Sequence, residues 1–234
     1  MCIRDRARIV DATVDRGGTV VVPAFAVGRA QTLLYYLWQL REAGRIPDVP
    51  VYLDSPMAIN ASELLGRFSD DHRLAPRVYE GMSAMATYTR DSEQSKKISA
   101  GTEPKIIISA GGMATGGRIL HHLKAFAPDP RNTIMITGYQ VPGTRGASIV
   151  AGEKQVRIYG EWVPINARVA NLAMLSAHAD ADELIRWAKG FTSPPKKVFV
   201  VHGEPQPADT LRTRLDRELG WQATVPRPNQ VFEL

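Results

Sequence analysis

The chain is expected to be an α/β protein built on a parallel sheet flanked by helices, and three observations carry that expectation. Short β-branched apolar runs recur at residues 19–23, 49–54, 104–109 and 132–138, the signature of strands buried on both faces. Three of them pass through a Gly-, Ser- or Pro-marked turn into a segment of helical period, so β and α alternate from about residue 19 to 140. With 234 residues, 44% of them hydrophobic and 23% charged, the chain has enough apolar side chains to cover such a sheet.

Taken in order, residues 1–6 carry no cap, period or turn signal, and they are read as a leader not native to the protein; a short frayed tail is the competing reading. Ile9, Val10, Ala12 and Val14 mark a helix that stops at Gly17-Gly18. Residues 19–23 form the first strand, and a turn through Gly28 opens a helix with Ala30, Leu33, Leu34, Leu37, Trp38 and Leu40 on its apolar face. Arg29 and Gln31 stand at the start of that helix, where free amides and a cation meet a phosphate well; an arginine on a solvated first turn is the plainer alternative.

The second strand ends at Asp54-Ser55-Pro56, where Ser55 caps the next helix. Asp54 is either a catalytic carboxylate or the tie of a turn. Residues 66–103 are polar and mixed, and His72 within them reads as a surface residue. The third strand runs into Gly111-Gly112-Met113-Ala114-Thr115-Gly116-Gly117-Arg118 and a helix. Four glycines within this loop let backbone amides approach an anion without Cβ interference. The spacing is not the dinucleotide-binding one and there is no P-loop lysine, which leaves a nucleotide-binding module as a weaker alternative. His121 and His122 are adjacent on the following helix and cannot share a face, so they do not make a joint metal site.

After the fourth strand, residues 156–159, 161–165 and 168–175 alternate like short antiparallel strands. The chain finishes on loop, helix and strand. Ser176-Ala177-His178-Ala179-Asp180 precedes a helix with Leu184, Ile185, Trp187 and Ala188 at helical spacing, and residues 198–201 make a β run that ends at His202-Gly203. Histidines at loop and strand ends suit metal binding and proton transfer, although each is also explicable as a lone imidazole bonded to a carbonyl.

Several classes are disfavoured. No apolar run approaches the roughly 20 residues a membrane span requires, and there is no secretory leader, so a soluble cytoplasmic protein without a membrane partner is expected. Cys2 is the single cysteine, which excludes an internal disulfide and any zinc site built on a cysteine pair. A net charge of +5 is compatible with a polyanionic partner and does not require one.

Five stretches in order, Val-Val-Pro-Ala-Phe-Ala-Val-Gly-Arg-Ala-Gln ending at Gln31, Leu-Asp-Ser-Pro-Met-Ala ending at Ala58, the glycine loop, Ser-Ala-His-Ala-Asp and Val-His-Gly-Glu, resemble the β-CASP branch of the metallo-β-lactamase superfamily. The resemblance covers nearly everything after residue 7. It implies a β-CASP domain over residues 7–172 and, over 173–234, the carboxy-terminal part of a metallo-β-lactamase αββα domain. It also implies a zinc-dependent ribonuclease with RNA as partner and two zinc ions in the complete family site. By the same resemblance His178 protonates the leaving oxygen, His202 is a zinc ligand, and Ser176 contacts an RNA phosphate. Arg29, Gly116, Gly117 and Arg118 are expected to bind substrate. Histidine at position 202 favours RNA over DNA, whose processing members carry valine there.

One departure is large: the family's His-x-His-x-Asp-His zinc cluster is not in this sequence. The chain is therefore expected to be a truncated and inactive fragment, with the absent amino-terminal half of its lactamase domain as a further partner. A non-catalytic RNA-binding or scaffold paralogue is the alternative, and self-association stays open. Removal of that half is expected to leave Leu184, Ile185, Trp187, Val198, Phe199 and Val200 without apolar cover.

Overall fold

The computed structural model describes residues 3–172 and 178–233. They divide into two compact units that meet between Leu175 and Ser176 in sequence. In the first unit the order is α1 (Ile3–Val14), β1 (Val20–Ala24), α2 (Arg29–Glu42), β2 (Val51–Leu53), α3 (Pro56–Arg67), α4 (Pro76–Met85), β3 (Ala86–Tyr88), α5 (Ser92–Ala100), β4 (Ile106–Ala110), α6 (Ile119–Phe126), β5 (Thr133–Ile136), α7 (Arg145–Val150), β6 (Gln155–Ile158), β7 (Glu161–Pro164) and β8 (Arg168–Asn171). The second holds α8 (Ala181–Ala188), β9 (Val198–Phe199), α9 (Pro205–Leu219) and β10 (Ala223–Thr224).

Six strands of the first unit form one sheet in the order β3-β2-β4-β1-β5-β8, every neighbouring pair parallel. The central register sets Val20 opposite Ile106 and Val22 opposite Ile108. Side chains alternate across the pleat, so Val20, Val22, Ile106 and Ile108 join a core with α1, α2, α3 and α4, while Val21, Ile107, Ile134 and Ile136 join another with α6, α7 and the β6–β7 hairpin. Burial on both faces is why these strands read as unbroken apolar runs.

Helix α1 begins at Ile3, inside the stretch read as a leader, and the Arg6 guanidinium lies 4.1 Å from the centre of the Tyr36 ring. One expectation changes. Residues 168–171 are not the third strand of an antiparallel set. β6 and β7 pair antiparallel, but β8 adds parallel to β5 at the sheet edge. The chain is turned there by Asn166 and Ala167, whose amides both donate to the Ala127 carbonyl. An edge strand with one half-open face shows the same alternation as a hairpin strand, so the pattern did not discriminate.

The β6–β7 turn is Tyr159-Gly160 with φ of 49° and 84°, the two positive values a two-residue hairpin turn of this hand needs. In the second unit β9 and β10 pair parallel, and Ile185, Ala188, Val200, Ala208 and Leu215 make a small core. Ile185 and Val200 are thus covered by α9, whereas Leu184 and Trp187 stay exposed. Among the described residues no helix is long and apolar enough to cross a membrane.

Gly18, between α1 and β1, has no room for a side chain: a Cβ there would stand 2.0 Å from the Arg131 carbonyl oxygen, which belongs to rigid backbone. Gly18→Ala is predicted to cost about 2–4 kcal/mol in urea denaturation, and a loss below about 0.5 kcal/mol would contradict this packing.

Candidate functional site

The carboxyl edge of a parallel sheet is where open α/β folds place ligands, in the crevice where neighbouring strands send their helices to opposite faces. Here β1 leads through Gly28, with φ of 80°, into α2 on one face; β4 leads through the glycine loop into α6 on the other. The turns after β1, β4 and β5 pack together around a gap too tight for a water molecule, lined by Phe25, Arg29, Gly112, Thr137, Gly138 and Gln140. Both glycines are there for close approach: a Cβ on Gly112 would reach the Phe25 ring at 3.1 Å, and one on Gly138 would reach Arg29 Nη1 at 3.0 Å.

Among the described residues the Arg29 guanidinium has no hydrogen bond or ion pair. Burial, and then the charge of Arg6, lower its pKa from the ordinary arginine value, and a guanidinium so placed stays charged and lacks an anion. Gln31, expected beside it at the phosphate, is instead buried. Its Nε2 donates to the Ala26 and Ala58 carbonyls and to Ser62 Oγ, tying α2 to α3.

The loop after β4 is shaped by Gly117, whose φ is 85° and whose Cβ would stand 2.5 Å from the Ala110 carbonyl oxygen. Gly116 faces open space. The amides of Gly116, Gly117 and Arg118 find no acceptor among the described residues, so this turn has donors to offer a ligand.

The Arg118 guanidinium points the other way. It donates to Asp54 Oδ1 at 2.6 Å, to the Thr89 carbonyl at 3.0 Å and to the Arg90 carbonyl at 2.7 Å. Asp54 is fully buried and also meets Ser95 Oγ at 2.5 Å and His122 Nε2 at 2.7 Å, while His122 Nδ1 meets Ser99 Oγ at 3.0 Å. Burial raises the Asp54 pKa, but the hydrogen bonds of His122, Ser95 and Arg118 outweigh it and hold the carboxyl below its ordinary value.

This network was only half visible in the sequence. Asp54 at a strand end was a candidate, but nothing local pairs it with His122, 68 positions on. His121, on the exposed side of α6, meets Tyr159 Oη at 3.1 Å, so the two histidines do face apart. His72 is half-buried, with Nε2 2.9 Å from the Leu65 carbonyl and Nδ1 accepting from the Leu74 amide.

In the second unit His178 lies two residues ahead of Asp180, which caps α8 in a reciprocal capping box with Glu183. His202 lies two residues ahead of Glu204, the cap of α9, with a left-handed φ of 63° that swings the chain from β9 into the helix. Both histidines are solvent-exposed. Ser176 lies outside the described residues. A zinc site needs three or four protein ligands. No cluster of three His, Cys, Asp or Glu side chains exists among the described residues, so these residues do not fit zinc by themselves.

Residues 30–149 match the family model of the Beta-Casp domain, and residues 162–226 match that of the Zn-dependent metallo-hydrolase RNA specificity domain. The chain is similar to ribonuclease TTHA0252 of Thermus thermophilus, 39% identical over 212 residues, covering 87% of this chain and 47% of the relative. It is similar to transcription termination factor FttA of Pyrococcus abyssi, 33% identical over 238 residues and covering 97% and 36%. An RNase J-like protein of Methanocaldococcus jannaschii is 32% identical over 196 residues, covering 83% and 45%. The chain thus spans less than half the length of these curated relatives.

Asp54→Asn keeps the volume but removes the charge that Arg118 faces, and is predicted to cost about 3–5 kcal/mol at pH 7 in chemical denaturation. Because the folded pKa is depressed, the Asp54 contribution is complete above the unfolded value of about 3.9 and disappears as pH falls through the folded value. The variant should therefore lose stability less steeply than the wild type below about pH 4; parallel acid curves would contradict the assignment.

Proposed function

The chain belongs to the Beta-Casp family, and on that premise we propose that it is the RNA-handling part of a zinc-dependent ribonuclease. The observations that carry this are the Arg29 guanidinium, unneutralised among the described residues, and the amides of residues 116–118, which find no acceptor among them, both on turns at the carboxyl edge of the sheet. A nucleic-acid backbone is the ligand such a set suits, because each of its phosphates carries a single negative charge and oxygens that a cation or backbone amides can meet.

In this proposal residues 7–172 hold the RNA backbone and residues 173–234 bring the chemistry. Arg29 neutralises a phosphate of the backbone, and the amides of Gly116, Gly117 and Arg118 donate to phosphate oxygens. The Arg118 side chain positions that loop through its bonds to Asp54 and the 89–90 carbonyls. Ser176 adds a hydroxyl contact. His178 in its protonated form gives a proton to the departing sugar oxygen, the step for which an imidazole near neutral pH is suited. His202 is the imidazole this chain offers toward zinc, and the remaining ligands would come from an amino-terminal half of the lactamase domain. The setting is cytoplasmic.

The second reading, a non-catalytic RNA-binding protein, is favoured by one observation, the lack of a three-ligand cluster among the described residues. Both readings share the RNA track, and they differ on whether His202 serves a metal.

The test is fluorescence anisotropy of a labelled single-stranded oligouridylate of about fifteen nucleotides with the 234-residue chain. Arg29→Ala should weaken binding about tenfold, and should reduce the slope of log affinity against log salt by roughly 0.7. Unchanged affinity and slope would sink the proposal. The isolated chain should not cleave this RNA with zinc present, and zinc-dependent cleavage abolished by His202→Ala would show the site to be complete as it stands.

A further inference from the structure

The β6–β7 hairpin carries an exposed tryptophan that the crevice described above does not use. Trp162 on β7 keeps 62% of its surface in solvent, an uncommon state for so large an apolar ring. Its cross-strand partner is Arg157 on β6, and in an antiparallel pair directly opposed residues share a face. The other face of the hairpin is buried through Val156, Ile158 and Val163, so Arg157 and Trp162 are held outward by a packed ribbon.

Beside them lies an open cavity of 520 Å³ whose lining includes Thr115, Arg145, Glu153, Arg157 and Trp162. Arg145 spans it. Its Nε donates to the Arg157 carbonyl, and its Nη1 donates to the Ala114 and Thr115 carbonyls at 3.3 Å each. Its second terminal nitrogen has no bond among the described residues. The Arg157 guanidinium makes one long contact, Nε to the Gly160 carbonyl at 3.4 Å. Glu153 lines the cavity too, yet among the described residues neither guanidinium forms an ion pair with it or with any other carboxylate. The cavity therefore carries a net positive charge on the included side chains and a free aromatic face.

We propose that this cavity is a second RNA subsite, in which a base of single-stranded RNA stacks on Trp162 while the adjoining phosphates meet Arg157 and Arg145. It rests on the RNA assignment above and extends it. Thr115 belongs to the same loop as Gly116 and Gly117, so the subsite begins where the phosphate-binding turn ends, and the strand runs from the sheet edge out over the hairpin. Stacking is tolerant of base identity because every base has a π-face, and guanidinium groups beside the ring hold the backbone in register with it. The three side chains sit on rigid supports, a packed hairpin and a helix, which limits the ordering that binding demands.

The same anisotropy assay separates this inference from the assignment it rests on. Trp162→Ala and Arg157→Ala should each weaken the oligouridylate of about fifteen nucleotides by about fivefold to tenfold. Trp162→Phe should restore most of the affinity, since a ring is retained, and Arg157→Ala should lower the salt slope by roughly 0.7 while Trp162→Ala leaves it unchanged. Wild-type affinity in Trp162→Ala and Arg157→Ala, with Arg29→Ala still impaired, would overturn the subsite and leave the RNA assignment standing. Wild-type RNA affinity accompanied by self-association lost in the variants would also overturn it, marking the hairpin as a protein-facing surface. No RNA binding by the wild type would overturn both. Both residues are exposed, so folding of the variants is checked by circular dichroism before comparison.

Discussion

A buried carboxylate is the constraint on which the proposed phosphate-binding edge depends. Asp54 ends the apolar strand β2 inside the protein, where an unpaired charge would cost several kcal/mol. Its oxygens are satisfied by Arg118 from the glycine loop, His122 from α6 and Ser95 from α5. Those same bonds fix the loop after β4 relative to β2. With the Arg118 side chain drawn inward, its amide and those of Gly116 and Gly117 remain without acceptors among the described residues. In the proposed site Arg118 therefore acts at one remove, through the shape it imposes on the backbone.

Arg29 is the counterpart left without an acceptor among the described residues. Its guanidinium is packed against Gly138 and is held at the end of the central strand by a helix whose Leu33, Leu34, Leu37 and Leu40 are buried. One arginine serves structure and the other is available for a ligand, and the difference is set by whether a carboxylate lies within reach. Arg145 of α7 and Arg157 of the hairpin follow Arg29 in this respect, being tied to backbone carbonyls that leave their charge uncompensated among the described residues.

The central sheet was legible in the sequence because burial on both faces forces unbroken β-branched runs, as at 20–22, 106–108 and 134–136, and because glycines punctuate their ends. β8 was misread because pairing direction leaves no mark on an edge strand's alternation. The Asp54–His122 pair was not legible at all: contacts across 68 positions are made by the sheet, not by spacing. Arg29 and the 116–118 turn were singled out as candidates from local signals, a helix start and a glycine cluster. What those signals could not give is direction, and so they did not distinguish the free Arg29 from the committed Arg118. In the second unit the capping signal at Asp180 placed α8 well, while the apolar residues expected to lie open divide into Ile185 and Val200, covered by α9, and Trp187, uncovered.

The central claim is that RNA phosphate is held by the amides of residues 116–118 with Arg29. Backbone amide NMR spectra of the chain during titration with the oligouridylate test it most directly. The account predicts that the Gly116, Gly117 and Arg118 amide resonances move with added RNA and return as salt is raised, while the buried Ser95 and His122 amides stay in place. Saturating RNA that leaves the three loop amides unmoved would contradict it.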